Sequence, residues 1–519
     1  MKTTSGPSAD ADNSVGAGGT GESLPSNSLS PLSSGPWNCA LLAAIIVCGA
    51  ILRFHALAAK TFWFDEGMSV GIARLDWINF LRILWRREAN MSLYYLLLRP
   101  WLHFGSSEFY VRSLSVIIGV ATVPALYFLG RKLFDSRIGV IAAALLTVNV
   151  YHIRYSQEAR SYSLMVLLCV CSSFYFLKYL ETPSRRNRIA YIAFSSTAVY
   201  AHFYSALLII AHWISARYWP KTAVPASLKA TWRWIALLIS PVILFVATTG
   251  AGPLRWIHRP GLKDLAELGL RITGNGGWIL LCAYGIACVA GLLVRQSESS
   301  EMGALNAWRS HFLLLWLLFP IIFVFLLSFA RPLFLPRYFI LCLPPLLLLA
   351  AAGLSRIRFP WLLVPALLIF IALSIQGTRG YYRHDFDLQR DNWRAASSYL
   401  LSQSKAGDAL IFHVAMGRMP YEYYHSLHGV SPLDPVVIYP NHGKRITFLD
   451  FVEKPDYKKL ASIIPDSPRV WLVLSHASEP AGLDATASTL IRILNGNNYQ
   501  KVSAEDFSGL EVDLYTKGM

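Results

Sequence analysis

The sequence predicts an α-helical polytopic membrane protein that ends in a small α/β domain. Three observations carry this. Of 519 residues, 54% are hydrophobic and only 15% charged, against about 25% charged in a typical soluble domain, and mean hydropathy is +0.41. Apolar runs long enough to cross a hydrocarbon core of about 30 Å recur along the chain. After residue 377 the pattern changes to polar residues alternating with short apolar runs.

Residues 1–37 are rich in Ser, Gly and Asn and poor in apolar side chains. Such a segment cannot repay its ordering entropy, which predicts a disordered cytoplasmic tail. It lacks the basic start and early apolar core of a cleaved signal peptide, so the first apolar run is expected to be a retained span. Spans are expected near 38–58, 110–130, 138–152, 162–180, 189–203, 204–219, 235–250, 277–294, 312–329, 338–354 and 361–377, about 11 crossings. With the N-terminus inside, "RKLFDSR", "ETPSRRNR", "RYWPKTAVPASLKATWRW", "RQSESSEMGALNAWRSH" and "SRIRFP" become cytoplasmic loops. All carry basic residues, as the positive-inside rule requires. This topology predicts a multi-pass protein of the plasma (inner) membrane with residues 378–519 outside the cytoplasm. It also accounts for the net charge of +16 without nucleic acid. Arg82, Arg86, Arg87, Arg255, Arg259 and Arg337 fall outside and escape the rule; anionic headgroups or a substrate would explain them.

The seven cysteines lie in or beside expected spans, without the spacing of a metal site, and read as small packing hydrophobes. In the C-terminal segment, "NWRAASSYLLSQ" and "ATASTLIRILNGN" have helical spacing, while "DALIFHV" and "RVWLVLSH" read as buried strands. There is no glycine-rich phosphate loop and no cysteine there, so a packing or substrate-presenting role is expected. "RITGNGGW" lacks a strand–loop–helix context and reads as a loop.

The chemistry concentrates at the external ends of spans. "TFWFDEGMSVGIAR" (61–74) sets Asp65 and Glu66 side by side at the start of a stretch, 65–88, whose apolar residues recur at helical spacing and whose basic residues gather at the far end. This predicts an interfacial amphipathic helix in the first external loop. Two readings stand for Asp65. It caps that helix, where a carboxylate is favoured by the dipole, or it removes a proton from a substrate. Charged groups near a bilayer are functional candidates because burying them is expensive. Three more stretches add such groups: Arg112 opening a span, Glu158 and Arg160 in a tight turn between two spans, and Arg337 opening a late span. For Glu158 and Arg160 a structural ion pair competes with a role in the site. His152, His202 and His103 read as structural or as part of an aromatic belt. Two adjacent acids could also hold a divalent cation through oxygen ligands, which leaves the metal open; no other cofactor is indicated. A transporter or lipid flippase would also be polytopic and basic, but it is expected to carry repeated halves and polar residues near the midplane, and neither is evident. A scaffold presenting the C-terminal domain gives no reason for the charged cluster.

Taken in order, "FWFDE", "LYYLLLRPWLHFGSSEFYVRSLSVIIG", "YSQEARSY" and "PRYFILCLPP" resemble the GT-C glycosyltransferases of the protein O-mannosyltransferase and lipid A aminoarabinose transferase type, in particular the bacterial family 39 or Rgt-like branch. The resemblance covers 38–377 and is strongest over 62–162. It implies transfer of a sugar from a polyprenyl-phosphate donor to a lipid, glycan or protein acceptor outside the cytoplasm. It further implies Asp65 as catalytic base with Glu66 as its partner, Arg112 as important at the start of its span, and Arg337 as the residue holding the carrier phosphate; Glu158, Arg160 and Tyr338 stand beside them as candidate substrate-binding residues. The sequence departs from the pattern at Met91-Ser92, where many relatives carry a proline pair. The physical requirements agree. A departing phosphate needs positive charge, which arginine supplies as a planar fork. An attacking hydroxyl needs a carboxylate within reach. Base and leaving group on opposite sides give inversion, as in inverting glycosidases.

Overall fold

The computed structural model describes residues 36–518 except 221–223, 250–256, 294–299, 384–390, 441–445, 448–450, 452–456 and 480–481. The expected disordered tail therefore falls almost wholly outside the described residues. The membrane part begins with α1 (Pro36–Phe54), followed by α2 (Phe64–Arg74), α3 (Trp77–Ile83) and α4 (Ser92–Trp101). Then come α5 (Glu108–Leu133), α6 (Ser136–Val148), α7 (Val150–Ser156), α8 (Tyr162–Glu181), α9 (Arg185–Ala201), α10 (Ser205–Ala216) and α11 (Leu228–Thr249). It closes with α12 (Leu262–Ile272), α13 (Gly277–Leu292), α14 (Ser300–Leu327), α15 (Leu343–Leu354) and α16 (Pro360–Arg383).

Every expected span is helical. Among the described residues six are long and apolar enough to cross a membrane on their own: α5, α8, α11, α14, α16 and the run Pro336–Leu354 that ends in α15. Two more crossings arise if the bent pairs α6–α7 (63°) and α12–α13 (80°) are each one span. α1 and α10 are apolar but shorter.

The bends have a local cause. The expectation of an uninterrupted span over 138–152 is corrected at Asn149, which leaves the helix at φ −72°, ψ 111°. Its side chain accepts from His152 N at 3.0 Å and donates to Ile272 O at 3.0 Å. Asn favours such a break because its short amide can cap a new helix start. The result turns α7 by 63° away from α6 and brings Arg154, Glu158 and Arg160 to the cavity described below. Between α12 and α13, Gly274 (φ +102°), Asn275 (φ +53°) and Gly277 (φ +79°) make a left-handed turn, so "RITGNGGW" is a loop as read. The helix α12 in front of it, with Arg271 in its last turn, had no clear sequence signal.

The amphipathic stretch also divides. A single surface helix over 65–88 is corrected to α2, α3 and a short π-turn over Leu84–Glu88. Asp76 makes the break, accepting from Ile78 N and Asn79 N at 3.0 Å each as the cap of α3. α2 is no interfacial helix: every residue from Glu66 to Ala73 is buried. The surface role belongs to α3 and the turn after it, where Trp77, Ile78, Leu81 and Trp85 are exposed.

The C-terminal part holds α17 (Trp393–Gln403), α18 (Arg418–His428), α19 (Tyr457–Ile463) and α20 (Ala485–Gly496). Its strands are β1 (Ala409–Phe412), β2 (Val436–Tyr439), β3 (Arg469–Ser475), the two-residue pair β4 (Ser478–Glu479) and β5 (Gly482–Leu483), β6 (Tyr499–Phe507) and β7 (Leu510–Lys517). One sheet runs β2-β1-β3-β7-β6. β1 pairs parallel with β2 and β3, and β3–β7 and β7–β6 are antiparallel. The fully buried β1 and nearly fully buried β3 are the two strands the sequence shows, as continuous apolar runs should be in a parallel sheet centre.

This part is welded to the membrane part. Trp393, Phe412, Met419 and Tyr421 share one hydrophobic core with residues of α2, α5 and α8. α18 lies directly on α2. A Cβ at Gly67 would fall 2.7 Å from Pro420, and one at Gly71 would fall 2.8 Å from the Met419 sulfur; only glycine permits this approach. Tyr424 OH accepts from Phe62 N at 2.7 Å, and Tyr423 donates to Ser106 O at 2.7 Å.

Candidate active site

Asp65 is the second residue of α2. The residue flanking the helix start is Trp63, which makes no side-chain cap, so the capping reading is not met. The Asp65 carboxylate instead faces two guanidiniums, Arg160 Nη2 and Arg337 Nη1, each 3.6 Å from its Oδ2. These are ion-pair distances beyond hydrogen-bond contact. Arg160 is fixed from behind by Asp65 O (3.2 Å) and Ser69 Oγ (3.3 Å). Burial alone would lower the Arg160 pKa; Asp65 and the neighbouring phenols more than reverse this and hold it well above the ordinary value. Its charge is therefore permanent.

All three residues line a cavity of about 740 Å³. On the membrane side Arg87, Glu88, Arg154, Glu158 and Arg271 join them. Burial raises the Glu88 carboxyl above its ordinary value, against the pull of Arg160. Glu158 stands 3.7 Å from Arg154, so the turn pairs each charge differently from the Glu158–Arg160 pair that the sequence suggested.

The opposite wall comes from the C-terminal part, and two His–Asp pairs dominate it. His413 Nε2 lies 2.7 Å from Asp484 Oδ2, while Nδ1 is 3.2 Å from Ser475 O. His476, at φ +50°, meets Asp391 at 2.6 Å. The hydrogen bond to Asp391 raises the His476 pKa. None of these four stood out in the sequence, because they lie far apart along it at loop and strand ends.

Glu66, Arg112 and Tyr338 are not brought to the cavity. Glu66 is fully buried and takes Arg112 in a two-pronged pair, Nε–Oε1 2.8 Å and Nη2–Oε2 2.7 Å, with Ala159 N donating at 2.8 Å. Arg112 donates its remaining hydrogens to Leu57 O, Lys60 O and Thr61 O at 2.8–2.9 Å. Every donor is committed, so the geometry gives this pair the task of holding the loop before α2. Both Glu66 oxygens already accept from Arg112 or Ala159 N, so this carboxylate is engaged within the protein and does not face the cavity beside Asp65. Among the described residues no cluster of three His, Cys, Asp or Glu is placed to hold a metal. Tyr338 packs among His202 and Tyr204, with ring centroids 4.7 and 5.2 Å away. His152 is buried against Arg53, Nδ1 to Nη2 2.9 Å, which fits its structural reading.

Residues 94–248 match the family model described as dolichyl-phosphate-mannose-protein mannosyltransferase. The crystal structure of ArnT from Cupriavidus metallidurans bound to undecaprenyl phosphate is similar over 93% of this chain and 98% of its own, with TM-score 0.57 and 13% identity. Its apo state is similar over 92% and 97%, with TM-score 0.58 and 12% identity. The chain has the GT-C fold of membrane glycosyltransferases. The oligosaccharyltransferase of Archaeoglobus fulgidus, in complex with Zn and sulfate, shares that GT-C fold over 90% of this chain and 72% of its own, with TM-score 0.51 and 11% identity. No curated protein matches the sequence.

Proposed function

We propose that the protein transfers a sugar from a polyprenyl-phosphate donor to a hydroxyl acceptor at the extracytoplasmic face, with Asp65 as general base. The observation that carries this reading is one carboxylate, held on a buried helix between two arginines, at the wall of a cavity built from both parts of the chain. ArnT, which is similar over nearly its whole length, was solved with undecaprenyl phosphate bound. That supports the carrier class, and the GT-C fold supports glycosyl transfer. The acceptor O–H hydrogen-bonds to Asp65, its oxygen attacks the anomeric carbon, and the C–O bond to phosphate breaks. The proton passes to Asp65, and the new negative charge on the phosphate falls to Arg337 and its arginine neighbours. Attack and departure on opposite sides invert the anomeric centre.

Asp391, His413, Met416, Ser475, His476 and Asp484 wall this cavity from the C-terminal part, and the outward orientation proposed for it rests on the basic loops of the other face. A tag after Met519 is expected to be protected in intact cells and reached once the outer layers are opened. The direct test incubates the purified protein with undecaprenyl-phosphate-linked radiolabelled sugars and follows loss of label from the carrier. In parallel, surface lipids, glycans and glycoproteins of a deletion strain are compared by mass spectrometry. Absence of transfer together with an unchanged surface would overturn the proposal.

A further inference from the structure

α10 begins beside the catalytic cavity and ends far from it. Tyr204, just before its first turn, packs on Tyr338 with ring centroids 5.2 Å apart, next to the cavity residue Arg337. After the 12 residues of α10, about 18 Å along the helix axis, the chain reaches Arg217. There a cavity of about 790 Å³ opens between the end of α10 and the start of α11, and it shares no lining residue with the catalytic one. Trp213 and Arg217 line it from one side, and Lys229, Trp232 and Arg233 from the other. The sequence holds no Asp or Glu between Glu181 and Asp264. Among the described residues Arg217, Lys229 and Arg233 make no ion pair or hydrogen bond.

The positive-inside rule explains why basic residues gather at these span ends. It does not explain setting Lys229 and Arg233 four residues apart on one helix, where like charges repel, opposite a third cation across a hollow. An anion among the three removes the repulsion. Both indoles favour one. The Arg217 guanidinium lies 3.6 Å from the centroid of the Trp213 ring, and stacking of this kind leaves its N–H fork for another partner. Trp232 is fixed by its N–H, which donates to Tyr191 OH at 3.4 Å. The rest of the surface says what the anion is attached to. Arg233, Leu237 and Leu244 follow one face of α11, and both leucines are exposed. A soluble anion has no use for that face, whereas an acyl chain does.

We propose that the cavity between α10 and α11 binds the headgroup of an anionic glycerophospholipid, with an acyl chain laid along α11. The lipid belongs to the leaflet away from the catalytic cavity, the cytoplasmic one in the proposed orientation. Its phosphodiester takes donors from Arg217 on one helix and from Lys229 and Arg233 on the other, as basic pockets between spans do for anionic headgroups. The lipid thereby ties the end of α10 to the start of α11. The site uses neither a sugar donor nor Asp65, so it stands or falls apart from the transferase reading.

The test titrates phosphatidylglycerol into the full-length protein in detergent and follows the tightest-bound lipid by native mass spectrometry. Arg217→Ala/Lys229→Ala/Arg233→Ala should weaken it about tenfold or more, equivalent to about 1.4 kcal/mol, with the melting temperature in lipid-free detergent unchanged. Arg217→Lys should lose only part, since the charge stays and the stacked fork goes. Phosphatidylcholine with the same chains should bind weakly and alike to all forms. A phosphatidylglycerol carrying a diazirine in its tail needs no variant to fold, and in the wild type it should crosslink to α11 around Leu237 and Leu244. Undiminished affinity in the alanine triple variant would overturn the site, as would crosslinks spread evenly over the exposed helices. Equal affinity for phosphatidylcholine would reduce it to a general lipid contact. Displacement of the lipid by glycerol phosphate would make it a site for a soluble anion, and the proposal would fail.

Discussion

Two acid–arginine assemblies sit one residue apart on α2 and could hardly differ more. Glu66 and Arg112 are 0% and 1% exposed at the side chain, and every hydrogen of the guanidinium is donated within the protein. Asp65, 19% exposed, meets Arg160 and Arg337 only at 3.6 Å and opens onto a cavity. The first assembly is saturated and can do nothing but hold. The second has unspent hydrogen-bonding capacity on the Asp65 carboxylate, which an incoming hydroxyl can use. Saturation, more than charge or burial, separates a structural pair from a reactive one.

The sharpest way to break this comparison is Arg112→Ala. It strands a fully buried carboxylate, and breaking such a pair costs about 3–5 kcal/mol. Expression in detergent-stable form and the melting temperature should both collapse. A folded variant with only a transfer defect would mean that Arg112 belongs to the reactive group after all. Asp65→Asn should do the opposite, leaving the melting temperature near wild type while transfer of labelled sugar falls about 10²–10⁴-fold. Near-normal turnover would remove Asp65 as the base.

Arg337→Ala comes next. Losing a charge-assisted contact of about 1.5–3 kcal/mol should weaken binding of undecaprenyl phosphate by roughly 10- to 100-fold, with lysine restoring only part because it keeps the charge and loses the fork. Unchanged affinity would detach Arg337 from the carrier.

The smallest effect is expected at His476, whose side chain is 61% exposed. Its hydrogen bond to Asp391 raises its folded pKa above the unfolded value. The stabilisation is therefore fully present below the ordinary histidine pKa of about 6.5 and is lost as pH rises through the raised value. The melting temperature should decline slightly over that window in the wild type and stay flat in His476→Gln. Identical profiles would show that the pair contributes nothing to the fold.

Much of this was legible in the sequence. Span positions followed from hydropathy because lipid forces each crossing to satisfy its own backbone. Asp65, Glu158, Arg160 and Arg337 stood out as charges at span ends and do line one cavity. The break at Asn149 was less legible, since a single Asn in an apolar run signals a cap only once its partners are known. Arg271 hid in a short helix just before a glycine-rich turn. His413, His476, Asp391 and Asp484 carried no signal at all: nothing in a soluble-looking α/β segment indicates which loop will press against a membrane helix.

By itself, then, the sequence determined the class, the helical segments, the α/β character of the last 140 or so residues and the charged residues worth attention. Those are consequences of hydrophobic periodicity and of the cost of placing charge near lipid, which act locally along the chain. Only the tertiary structure decided which of two adjacent acids is free. That depends on whether Arg112 arrives with all its donors from one side, and on whether Arg160 and Arg337 stop just short of contact on the other. It also decided that α18 docks on α2, because two glycines of α2 leave room for Met419 and Pro420. Such outcomes turn on distances between residues remote in the chain, and no local pattern encodes them.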